Sequence, residues 1–191
     1  MSKVFVIMGM TGAGKSVVSR HVCHNLKMER LKTTTTRPRR SEHDNEYHFA
    51  NVEDFLQDDG RYIAIRAYTT LIEDLPKKHY YAVDKLELEK GGILITDFDG
   101  FKELCERGTD VVGIYLHADK DIRYRRAIKR EGFKADEFWR RDADDKEKFA
   151  IQRIVDLGRN YPLYIVNNSE TVSLLGVIEK VQNIIKEHRL P

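Results

Sequence analysis

Residues Gly9 to Ser16 read GMTGAGKS, directly after the apolar run Val4-Phe5-Val6-Ile7-Met8 and directly before a helix-patterned stretch. Strand, tight glycine turn and helix in immediate succession are the context a phosphate-cradling loop needs, and no other feature constrains the fold as much. Backbone N–H groups converge on phosphate oxygens only where the chain curls tightly and no side chain blocks the approach, which Gly9, Gly12 and Gly14 permit. Thr11, Ala13 and Val17 complete the set of residues around this nest. Lys15 reaches the β- and γ-phosphates as a point charge, Ser16 offers a hydroxyl to Mg²⁺, and the helix starting there turns its positive end toward the triphosphate. ATP and Mg²⁺ are the expected cofactors.

A chain of 191 residues suits one compact α/β domain with small appended segments. Its 33 basic and 31 acidic residues leave a net charge of +2, too balanced for nucleic-acid binding by bulk charge. Cys23 and Cys105 share no metal-ligand spacing with histidines and read as reduced, partly buried thiols. His21 and His24 lack a third ligand nearby and read as solvated or capping groups. No apolar run approaches membrane-spanning length and no signal-peptide pattern precedes the first strand. A cytoplasmic protein without membrane or nucleic-acid partners, monomeric or homodimeric, is expected.

Val18, Val22 and Leu26 fall four apart between polar residues, the stripe of a helix packed on a sheet. Ile93 to Thr96, Val111 to Leu116 and Tyr164 to Val166 read as buried strands, separated by helical patterns near 100–107 and 119–130. Leu174, Ile178, Val181 and Ile185 mark a closing helix. Alternation of this kind implies a doubly wound parallel sheet. Residues 33–83 break the rhythm with Thr- and Tyr-rich strand-like pieces around a short helix at Val52 to Leu56, as an inserted subdomain would. Residues 131–147 are nearly all charged around Trp139-Arg140-Arg141 and read as a mobile cover.

Phosphoryl transfer spreads negative charge over its transition state, so a site for it collects cations, and guanidinium forks suit phosphate best. Arg37, Arg39 and Arg40 lie in the inserted segment, Arg126 and Arg130 four apart on one helix, and Arg140 and Arg141 in the cover. Arg123 and Arg125 read as a solvated face. The segment Thr33-Thr34-Thr35-Thr36-Arg37-Pro38-Arg39-Arg40-Ser41-Glu42, followed by Tyr47 and Phe49, resembles the acceptor-binding segment of guanylate kinases. With the phosphate loop, Tyr80-Tyr81, Thr96-Asp97-Phe98-Asp99-Gly100 and Val166-Asn167-Asn168, the resemblance runs in order over nearly the whole chain.

That resemblance implies a P-loop NTP hydrolase-like fold with a core of residues 1–32, 84–130 and 148–191, an acceptor-binding subdomain at 33–83 and a helical lid at 131–147. It implies that Arg37, Arg40, Tyr47 and Tyr80 hold the acceptor monophosphate, with Arg39 as the alternative to Arg40. Thr33 and Asp99 would face the acceptor base, and Asp97 would orient the water shell of Mg²⁺. Lys15, Arg126, Arg130 and Arg140 or Arg141 would close over the transferring phosphoryl group, while Asn167 and Asn168 would lie on the donor side. The implied activity is ATP-dependent phosphorylation of a nucleoside monophosphate, GMP or dGMP first.

Three departures bear on the acceptor. Ala64 stands where the family carries a base-reading Glu, with Arg66 close by; the Thr69 to His79 loop is longer than usual and holds Glu73 and Asp74; and Ala82 stands where a Gly is typical. On the donor side, Val17 replaces a hydroxyl residue that would meet the α-phosphate. A guanylate-kinase-like kinase of another small phosphate ester, such as a ribose bisphosphate, is the nearest alternative. A GTP-hydrolysing switch is disfavoured because Asp97-Phe98-Asp99-Gly100 has no N-K-x-D companion. A non-catalytic scaffold is disfavoured because Lys15 and Ser16 are intact.

Overall fold

The computed structural model describes residues 3–39, 42, 44–57, 60–72, 75–129 and 134–189, with backbone only for 70–72, 75 and 76. In chain order the first elements are β1 (Val4–Met8), α1 (Lys15–Leu26), β2 (Thr33–Thr35), β3 (Tyr47–Phe49) and α2 (Val52–Leu56). A long pair, β4 (Tyr62–Ile72) and β5 (Leu75–Asp84), precedes α3 (Lys85–Lys90), β6 (Gly92–Ile95), α4 (Phe98–Glu106) and β7 (Val111–His117). The chain finishes with α5 (Lys120–Ile128), α6 (Ala135–Lys148), α7 (Ile151–Asn160), β8 (Leu163–Asn167) and α8 (Leu174–Arg189).

Four parallel strands in the order β6-β1-β7-β8 make the main sheet. Every residue of β1 is buried, which is why that strand is apolar throughout instead of alternating. Its side chains divide between two layers. Val4, Val6 and Met8 join Phe101, Leu104, Ile154 and Leu157 of α4 and α7. Phe5 and Ile7 join Val18 and Val22 of α1 and Val177, Val181 and Ile185 of α8. Burying both faces of a parallel sheet under helices defines the doubly wound α/β arrangement.

A second sheet, ordered β3-β2-β5-β4, pairs β2 with β3 in parallel and β5 antiparallel with both β2 and β4. The expected loop from Thr69 to His79 is largely the continuation of the β4–β5 hairpin, with Thr69 opposite Lys78 and Thr70 opposite Lys77. Its paired like residues, Glu73-Asp74 and Lys77-Lys78, and Pro76 hide the alternation that marks a strand. Glu73 and Asp74, at the turn, lie outside the described residues. The short helix α2 is capped by Asn51, whose side chain accepts from the Asp54 amide at 2.6 Å, and its Phe55 stacks on Tyr62 and Tyr80.

Candidate active site

The loop after β1 has the form its spelling dictates. Gly12 and Gly14 adopt φ of 84° and 94°, left-handed values that side chains resist. A Cβ on Gly12 would stand 2.6 Å from the Arg123 carbonyl oxygen, and one on Gly14 2.5 Å from Asn168 Nδ2, so neighbouring backbone and amide pack directly onto the loop. Lys15 Nζ donates to the Gly9 carbonyl at 2.6 Å and the Met10 carbonyl at 3.1 Å, which holds the ammonium across the loop. Asn168 is buried and donates to the Ala13 carbonyl at 2.7 Å. It acts as a clamp on the loop, whereas Asn167 is exposed and accepts from the Ser169 amide.

Arg126 Nη2 donates to the Asn168 carbonyl at 2.8 Å, while its Nη1 is buried with no hydrogen-bond partner and lies 3.8 Å from the Cβ position of Gly14. Burial lowers the proton affinity of this guanidinium. An orphaned buried donor beside a phosphate loop is matched by an anion on that loop. Arg130 lies outside the described residues. Arg123, expected on a solvated face, is instead buried: its Nη2 meets Asp142 at 2.6 Å, Nε the Ala118 carbonyl at 3.1 Å and Nη1 the Thr11 carbonyl at 3.2 Å. Helical periodicity could not separate it from Arg125, which is exposed and paired with Glu170.

A cavity of about 470 Å³ joins the loop to the second sheet and α6. Gly9, Thr11, Gly12, Gly14, Lys15, Ser16 and Val17 line one end, and Ala13 is buried beneath them. Thr33, Tyr47, Ala64, Arg66, Tyr68 and Tyr81 line the other, with Asp97 at the tip of β6 between them. Arg140, Arg141, Asp144 and Asp145 of α6 complete the wall. Both arginines are tied within the helix, Arg140 to Glu137 and Asp144 and Arg141 to Glu137.

Asp97 caps α4 by accepting from the Gly100 amide at 2.8 Å and also takes the Tyr68 hydroxyl, so a helix cap and a place in the cavity coexist in one carboxylate. Burial, reinforced by the Asp97 charge, pushes the Tyr68 phenol far up, so it stays a donor. Ser16 Oγ lies 3.3 Å from Glu46 Oε2. Burial would raise the Glu46 carboxyl, but the hydrogen bond from Arg30, its charge, Ser16 and Arg20 together hold it below its ordinary value.

Several expected acceptor residues are placed elsewhere. Arg37 is buried against Asp44 at 2.8 Å and the Tyr47 ring at 4.8 Å, and does not line the cavity. Arg39 is exposed, donating to the Asp44 carbonyl at 2.9 Å, and Arg40 lies outside the described residues. Tyr80 packs on Phe55, away from the chamber, and its neighbour Tyr81 faces in. Asp99 pairs with Arg153 at 2.5 Å outside the lining. Sequence reading passed over Glu46, Tyr68 and Asp145 and gave Tyr81 no role; the two-residue spacing of Arg66 and Tyr68 on β4 was the available signal for a shared face.

A protein-family model described as an AAA domain matches residues 6–150. No curated protein matches the chain. Among solved structures it is similar to guanylate kinase from Anaplasma phagocytophilum, at 19% identity and TM-score 0.61, over 100% of this chain and 87% of that one. It is also similar to a sugar kinase from Janibacter sp. HTCC2649, at 14% identity and TM-score 0.52, over 97% of this chain and 95% of that one. An uncharacterized protein from Eubacterium ventriosum shares 11% identity at TM-score 0.50, over 98% of this chain and 99% of that one. At these identities the likeness is one of fold.

Proposed function

We propose, since this chain belongs to the AAA domain family, that it moves the γ-phosphoryl group of ATP, with Mg²⁺, onto a small phosphorylated acceptor, most readily a nucleoside monophosphate such as GMP or dGMP. The observation that carries this reading is the single chamber lined at one end by the phosphate loop and at the other by Thr33, Tyr47 and Tyr81. Transfer between two bound molecules needs both held in one water-poor space. The glycine cradle and the orphaned Arg126 Nη1 fit a polyphosphate, and the Ser16 hydroxyl with the Asp97 carboxylate fits an ion held largely through water. When bound, Mg²⁺ supplies charge that stabilises the phosphoryl oxygens.

In this reading Lys15, Arg126 and Arg140 or Arg141 place positive charge around the transferring group, residues 33–83 hold the acceptor and α6 serves as the lid. Ala64 and Arg66 in place of a base-reading carboxylate favour a second reading, a different small phosphate ester as acceptor. The test is ADP release by the full chain with Mg²⁺ and ATP, with and without GMP. GMP-stimulated ADP release is expected; if no phosphorylated acceptor stimulates it while ATP binds, the reading is wrong.

A further inference from the structure

Resting on the phosphotransferase reading, we propose that Arg66 selects the acceptor, and does so by donating to an edge of it made of two hydrogen-bond-accepting atoms. Arg66 lines the acceptor end of the chamber between Ala64, Tyr68 and Asp97. Its Nη1 is anchored on Glu103 Oε2 at 3.0 Å and the Ile65 carbonyl at 2.7 Å. Its Nε is buried with no hydrogen-bond partner, the nearest anion being Asp97 Oδ1 at 3.7 Å. The guanidinium is thus held through Nη1, and its side-on pair of donors, Nε with Nη2, makes no hydrogen bond among the described residues, the condition of a fork awaiting its partner.

The rest of this wall cannot serve a donor-bearing edge. Ala64 contributes a methyl group, its amide already given to Glu103 Oε1 at 3.0 Å. Glu103 is shared among Ala64, Arg66 and Arg107, and Asp97 is taken by the Gly100 amide and the Tyr68 hydroxyl. An acceptor that turned two N–H groups toward this wall would lose their hydrogen bonds on desolvation. Two ligand edges carry the complementary pair of acceptors: O6 and N7 of a 6-oxopurine, and the oxygens of a second phosphate group.

Binding to the full chain, by calorimetry, and turnover with Mg²⁺ and ATP are compared for GMP, IMP, 7-deaza-GMP, AMP and a pentose bisphosphate. With a 6-oxopurine as the source, IMP stays within about threefold of GMP because the 2-amino group goes unread, while AMP and 7-deaza-GMP bind about 10- to 100-fold more weakly. With a phosphate as the source, the bisphosphate binds most tightly. In either case Arg66→Gln removes the preference, and Arg66→Lys, which keeps the charge and loses the fork, removes most of it with the circular dichroism of the wild type. The proposal is overturned by IMP binding 30-fold or more weaker than GMP, by preferences that survive both substitutions, or by no binding of any of these acceptors. Binding preferences that follow Arg66 without any turnover would uphold this proposal and reject the phosphotransferase reading instead.

Discussion

At the scale of single residues the loop lysine and the orphaned arginine have separable roles. Lys15 is held across the loop by the Gly9 and Met10 carbonyls, so Lys15→Ala removes charge at the transferring group without emptying a core site. It should lower kcat about 10²- to 10³-fold with little change in melting temperature, and retained turnover would contradict the assigned role. Arg126→Ala leaves the Asn168 carbonyl without its donor and removes the buried Nη1 beside Gly14. The apparent KM for ATP should rise about tenfold with the acceptor KM unchanged. The loop was legible as a loop because its chemistry is local: backbone, ammonium and hydroxyl sit within eight consecutive residues. The resemblance pointed to Tyr80, whereas Tyr81 lines the chamber; neighbours on a strand face opposite ways, and the pairing of Arg66 with Tyr81 goes with the inward one. Arg37 was legible as an arginine in the right segment, but not that Asp44 and the Tyr47 ring would hold it beneath the surface.

Among the elements, α6 is bound to the phosphate loop at two points. Arg123 joins the Thr11 carbonyl to Asp142, and Asp145 Oδ2 accepts the Thr11 amide at 2.5 Å, so one loop residue is gripped through both of its backbone polar groups. A carboxylate on a loop amide occupies a donor that an incoming phosphate can use, and it repels that phosphate. Asp145→Asn should therefore tighten ATP binding, by about tenfold, as measured by calorimetry. Unchanged or weaker binding would show that Asp145 does not compete. Asp142→Ala strands the buried Arg123 guanidinium and should cost about 3–5 kcal/mol in chemical denaturation. The charged composition of 131–147 pointed to a cover, but the contacts of Asp142 and Asp145 are invisible to it, because charge periodicity says nothing about which aspartate meets a buried arginine or a loop amide. Core strands were legible as continuous apolar runs, and α8 as a stripe. α7 was not read at all, although Ile151, Ile154 and Val155 fall at helical spacing on one face and Ile154 and Leu157 are core residues.

Over the whole molecule, the second sheet meets the core through Ile63, Ala64 and Val83, which join the apolar layer of β1, and through two carboxylates. Glu46, just before β3, takes Arg30 at 2.9 Å and the Ser16 hydroxyl, while Glu103 of α4 takes the Ala64 amide and Arg66 from β4. Burial works to raise both carboxyls, yet the arginine and amide donors outweigh it and hold both below their ordinary value of 4.5. With the folded-state value depressed, the unfolded chain binds more protons between the two values, so stability rises with pH there. The contribution is fully present above about pH 4.5 and is lost as pH falls through the depressed folded-state values. Melting temperature measured from neutral pH downward should thus fall below about pH 4.5, and Glu46→Gln with Glu103→Gln should flatten that slope while lowering the neutral-pH value. Hydrogen exchange on the same series separates a local from a global loss: residues of β2–β5 should lose protection before β1 and β7, because the seam opens while the apolar layers on the main sheet, which contain no titrating group in β1, remain closed. Simultaneous loss across both sheets would mean that the seam carboxylates do not govern the acid transition.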